Sequence, residues 1–187
     1  MWRIGFFACL LIVAFCLPSS HSAAAKKLPP SVSFEEFQSF LKRAVDPDAE
    51  AIINPIRGMG PAGEQGSFLA TAQGIKILWF EGETKGKTGD ALLTEAMELM
   101  WLCNKQTDKE SLNTIAPQDL DGIRLLRQRR ECNGSFLGQE FSMFRDGILL
   151  EDGERYQTLF GGGSAEERAT VTKVIDQIVK ALVDLYR

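Results

Sequence analysis

Apolar residues near the start of the chain recur at helical spacing. Phe34, Phe37, Leu41, Ala44 and Val45 share one face. Ser33 ahead of them and Glu36 three residues later form a capping box, and Val32 can close on Phe37 as a hydrophobic staple. Asp46-Pro47 ends this helix and opens a short second one, which Asn54-Pro55 stops. The densest apolar signal lies at 75–103: an apolar segment over 75–80, a Gly-rich loop over 82–89, and a helix over 90–102. That helix is apolar on nearly every side, which marks it as a central element. Phe68, Ala72, Ile75 and Trp79 keep helical spacing, so the pattern predicts a helix over 68–80, with a strand over 75–80 as the alternative.

The second half continues in the same vein. Thr107 and Glu110 form another capping box, opening a short helix that ends before Pro117. Residues 119–130 read as a helix acidic at its start and basic at its end, which suits the helix dipole. Leu137, Phe141, Phe144 and Ile148 extend helical spacing to about 145, and Asp146-Gly147 with Asp152-Gly153 suggest a small β-hairpin over 146–158. Gly161, Gly162 and Gly163 read as a flexible joint. Ser164 with Glu167 then caps a closing helix over 165–186, apolar along Val171, Val174, Ile175, Ile178, Leu182 and Leu185, with Asp176 and Lys180 placed as an i,i+4 pair. The expected fold is mostly α: a single-domain, disulfide-tied helical bundle over 25–187, with α+β as the alternative.

The N-terminus changes the picture of where this domain works. Arg3 precedes a 14-residue apolar run, then Pro18 and small residues to Ala25, the layout of a cleaved secretory signal over 1–24. Such a run is too short to span a bilayer core of about 30 Å, so no stable membrane anchor is expected after cleavage. The expected address is exported: periplasmic in a bacterium, secreted otherwise. Cys9 and Cys16 leave with the signal, and Cys103 and Cys132 are expected to form one disulfide.

Charge and composition then narrow the chemistry. Removal of Arg3 leaves 20 basic against 25 acidic residues, a net charge of −5, which argues against a nucleic-acid partner. His21, the only histidine, lies in or beside the signal. That removes Ser-His-Asp and Cys-His catalysis and His-based metal ligation from the folded domain. Gly58 to Gly63 match G-x-G-x-x-G, but Pro55 interrupts the preceding run and no βαβ unit surrounds it. Gly82 to Thr88 fall one residue short of a phosphate loop and carry Glu83. Asp146, Glu151, Asp152 and Glu154 lack calcium-loop spacing. No cofactor, metal or catalytic residue is therefore expected.

What remains is binding. The leading expectation is a non-enzymatic protein acting through a protein–protein surface, adaptor-, inhibitor- or immunity-like, with Arg124, Arg127, Arg129 and Arg130 as the candidate partner surface. The alternative is a carrier or sensor of a small apolar ligand, lined by Phe34, Phe37, Phe40, Phe68, Phe141, Phe144, Met97, Met100, Met143, Trp79 and Trp101. A carboxylate-based hydrolase using Glu95, Glu98, Glu140 or Asp146 ranks last.

Overall fold

In the computed structural model the described residues are 25–54, 58, 60, 61, 63–99, 103 and 109–187. The expected signal over 1–24, the end of the apolar helix at 100–102 and Thr107 lie outside them. The fold corrects the helical-bundle expectation: among the described residues seven strands form one antiparallel sheet, and three helices cover it unevenly. In chain order the elements are α1 (Phe34–Ala44), β1 (Glu50–Ile53), β2 (Glu64–Ala72), β3 (Ile75–Glu83), α2 (Gly89–Glu98), β4 (Lys109–Leu120), β5 (Ile123–Phe136), β6 (Gln139–Glu151), β7 (Arg155–Gly163) and α3 (Arg168–Tyr186). The sheet order is β1-β2-β3-β7-β6-β5-β4. Two meanders, β1 to β3 and β4 to β7, thus meet where β7 pairs with β3.

The helix expected over 68–80 is the β2–β3 hairpin. Phe68, Ala72, Ile75 and Trp79 all point to one face of that hairpin, because the connection is only two residues long. The helical spacing was therefore a subset of two strands' alternation. Gln73 and Gly74 take φ of 49° and 78°, the left-handed pair of a type I′ turn, whose twist matches the strands it joins. Asp121-Gly122 and Leu137-Gly138 repeat the device between β4 and β5 and between β5 and β6. They convert the helices expected over 119–130 and up to 145 into hairpins. The short helix expected after Pro47 gives way to β1. The helix expected before Pro117 is β4, with the proline at an irregularity of an edge strand, where a missing N–H is tolerated.

Residues 146–158 do hold a hairpin connection, centred on Asp152-Gly153, but they belong to the long strands β6 and β7. Gly161 to Gly163 are no joint. Gly161 pairs with Ile77 on one side and Asp146 on the other, and Gly162 with Lys76 and Arg145, in the middle of the sheet.

One face of the sheet is closed by α1 and α3. The capping box holds α1 as expected, with the Ser33 hydroxyl accepting from Glu36 N (3.2 Å) and the Glu36 carboxylate from Ser33 N (2.8 Å). Phe37 stacks on Phe68 at 5.3 Å and meets Trp79 at 5.2 Å, while Val174, Ile175 and Ile178 of α3 are fully buried. Among the described residues the helix on the other face is α2. Leu92, Leu93, Ala96 and Met97 pack on Phe80, Leu126, Leu149, Tyr156 and Phe160. Gly147 makes room for this, since a Cβ there would lie 2.8 Å from the Met97 sulfur. Cys103 and Cys132 are joined, fastening the chain beyond α2 to β5. A cross-link over 29 residues stabilises by about 3 to 4 kcal/mol on loop entropy.

Candidate functional site

Strand alternation sends Leu69 of β2 and Leu78 of β3 to the face that α2 covers only in part. They lie in one cross-strand row with Ile52 of β1 and Phe160 of β7. Ile52 is 54% exposed, and Leu69 and Leu78 are half-buried, because α2 packs mainly on β5, β6 and β7 and leaves Leu78 at the edge of its cluster. Across the sheet, β6 runs beyond the end of its pairing with β7 and carries Phe141 and Met143 past it. Between these two apolar walls lies a groove of about 610 Å³, floored by Phe160, Gly162 and Gly163. That volume is within the range of small-molecule sites.

The neighbouring row on the same face is cationic. It runs Thr71, Lys76, Gly162, Arg145 and Arg130 across β2, β3, β7, β6 and β5. Lys76 is exposed, and its Nζ donates to the Thr71 hydroxyl (2.8 Å). Arg145 is buried, donates to the carbonyls of Met97 (2.5 Å) and Leu99 at the end of α2, and lies over the Phe160 ring. Burial, with the nearby Arg130 charge, brings its guanidinium down to about 10, so it stays cationic at neutral pH.

Of the apolar residues expected to line a ligand site, Phe141, Met143 and Phe144 border this groove. Phe68 and Met97 are core, and Met100 and Trp101 lie outside the described residues. Phe37, Phe40 and Trp79 border a smaller hollow of about 250 Å³ between α1 and the end of α3. Sequence reasoning missed Leu69, Lys76, Leu78 and Gly162. A strand reading of 75–80 would have placed Lys76 and Leu78 on one face.

The four arginines singled out by sequence sit on β5, not on a helix, and point alternately to opposite faces. Arg124 holds Glu151 at 2.6 Å. On the α3 side, Arg127 grips Asp146 through two nitrogens (2.9 and 2.7 Å), and Arg129 reaches the same carboxylate at 2.9 Å. Asp176 of α3, expected to pair with Lys180, instead meets Arg127 at 2.7 Å, and Lys180 turns to Asp184. Burial opposes the Arg127 charge, but Asp146 and Asp176 outweigh it and raise its pKa. Arg130, with a side chain 4% exposed, bonds Glu110 (Nε to Oε1, 2.9 Å). The four therefore do not share one surface.

The carboxylates considered for hydrolysis are likewise dispersed. Glu95 of α2 pairs with Lys87 of the preceding loop, Glu98 lies near Arg130, Glu140 is exposed near the β5–β6 turn, and Asp146 is sealed under α3. Among the described residues no cluster of three or more His, Cys, Asp or Glu is placed to hold a metal, and no helix is long and apolar enough to cross a membrane.

No protein-family model matches this chain, and no curated protein matches it. Among solved structures it is similar to that of LpqN, involved in cell envelope biogenesis of Mycobacterium tuberculosis. The identity is 12%, over 80% of this chain and 95% of that one, with a TM-score of 0.36, a likeness that carries no argument about function.

Proposed function

We propose that this chain is an exported, non-catalytic binding protein that holds a small apolar ligand in the groove across β2, β3, β7 and β6. One observation carries the reading: the apolar row Ile52, Leu69, Leu78 and Phe160, with Phe141 and Met143 opposite, has a helix over only part of it. A strand with one face in water normally alternates apolar and polar residues, and an uncovered apolar patch signals binding. Export is supported by the apolar run after Arg3 and by the Cys103–Cys132 disulfide, a bond that persists in oxidising compartments. A partner-protein surface on the β5 arginines draws less support, because internal carboxylates already engage them.

N-phenyl-1-naphthylamine, a neutral fluorophore that brightens in apolar surroundings, tests the groove directly. The disulfide-bonded protein should bind it saturably at one site, and Leu78→Asp should weaken that binding by about tenfold or more. No saturable binding, or binding unchanged in Leu78→Asp, would remove the groove as the site.

A further inference from the structure

Among the described residues the apolar groove is bordered by charge of one sign. They bring Lys76 and Arg145 to its lining and no Asp or Glu, although acidic residues outnumber basic ones in the chain, 25 to 21. Glu50, at the β1 end of the cationic row, lies outside the lining. Among the described residues Lys76 forms no ion pair; its one side-chain hydrogen bond is to the neutral Thr71 hydroxyl. Gly162 stands between the two cations on the strand between theirs, so their Cα atoms are separated by two strand spacings, about 10 Å. The absent side chain lets the Arg145 stem lean over Gly162 toward Lys76, since a Cβ there would press to 3.1 Å from the Arg145 Cγ and 3.6 Å from its Nε. The apolar row of Leu69, Leu78 and Phe160 runs alongside, two residues further along each strand, about 7 Å away.

From this arrangement we infer that the groove takes an anionic amphiphile, with its carboxylate head at the exposed Lys76 ammonium, beside Arg145, and its chain along Leu69, Leu78 and Phe160. The inference rests on the apolar-groove reading and adds the head group to it. A carboxylate is costly to bring onto an apolar floor unless charged donors meet it there, and Lys76 and Arg145 supply them. Lys76 carries the selectivity, because its ammonium is exposed at the groove, whereas Arg145 also holds the end of α2.

The test is displacement of N-phenyl-1-naphthylamine from the disulfide-bonded protein at neutral pH, by dodecanoate and by dodecan-1-ol. These share a chain length, and the alcohol is the more apolar, so hydrophobicity alone would favour the alcohol. Dodecanoate should instead displace at a concentration about tenfold lower. Lys76→Glu should abolish that preference while leaving displacement by the alcohol unchanged, and Lys76→Arg should keep it. Equal displacement by the two, or a preference that survives Lys76→Glu, overturns the head-group inference and leaves the apolar groove standing. Absence of any fluorophore binding by the wild-type protein overturns both.

Discussion

On one face of the sheet, α1 and α3 bring 11 and 19 residues to cover the strands; on the other, the ten residues of α2 cover one end. Yet β2 and β3 are apolar toward both faces, with Phe68, Ile77 and Trp79 on the closed side and Leu69 and Leu78 on the other. Hydrophobicity therefore does not distinguish the faces; cover does. A sheet designed only for stability would have placed polar residues where Leu69 and Leu78 stand.

The sharpest way to break the comparison is through charge. Asp146 is wholly buried beneath α3 and neutralises Arg127 and Arg129. Asp146→Ala should destabilise by roughly 3 kcal/mol in urea unfolding, because Arg127, 11% exposed, and the partly exposed Arg129 lose a counter-charge sealed from water and keep only Asp176. Arg124→Ala, removing a half-exposed partner of the buried Glu151 from the other face, should cost less, about 1 to 2 kcal/mol. Similar losses for the two would show that the faces are equally solvated.

Packing gives the next contrast. Ile178→Ala on the closed face should leave a cavity and cost about 2 to 5 kcal/mol. Leu78→Ala should cost less than about 1 kcal/mol in the same assay, since that side chain already meets solvent. A large loss at Leu78 would mean the groove is core.

The smallest effect concerns the β6–β7 turn, which both faces share. Burial alone would raise the Asp152 pKa, but backbone N–H donors from Arg155, Leu28 and Glu154 outweigh it and hold the carboxyl below its usual value. A depressed carboxylate contributes stability that is present above the unfolded pKa near 4 and is lost as pH falls through the folded one. Asp152→Asn should therefore lower stability by about 1 kcal/mol at neutral pH. The gap from wild type should close as the pH is taken below the folded pKa.

The start of α1, the inward face of α3 and the cross-link were legible because their signals are local and chemical, whereas Ser164 supplies no side-chain cap to α3 and Glu110 of the Thr107 box stands in β4. Ser33 with Glu36 seats α1, the apolar positions of 165–186 face inward on α3, and Cys103 meets Cys132. The strands were illegible because β3 and the middle strands β5 and β6 are packed on both faces and lack clean alternation. Burial of arginines as ion pairs further disguised β5 as a polar helix face. The usable signal was the repeated X-Gly pair at Gln73-Gly74, Asp121-Gly122 and Leu137-Gly138, each a two-residue turn between strands. Of the groove, Phe141 and Met143 could be suspected from composition. Leu69, Lys76, Leu78 and Gly162 needed the register.

The late position of β7 in the chain and its central position in the sheet also govern how the protein reaches its native state. Residues 50–83 and 109–151 can each form a meander, but neither can join the other until 155–163 insert between them. Completion of the sheet therefore waits for almost the whole chain and is dominated by contacts distant in sequence, a topology that folds slowly. Until then β3 and β6 each present an unpaired edge, open to pairing with other chains. For the export proposed above, that delay would keep the chain threadable and leave it in need of protection on the way.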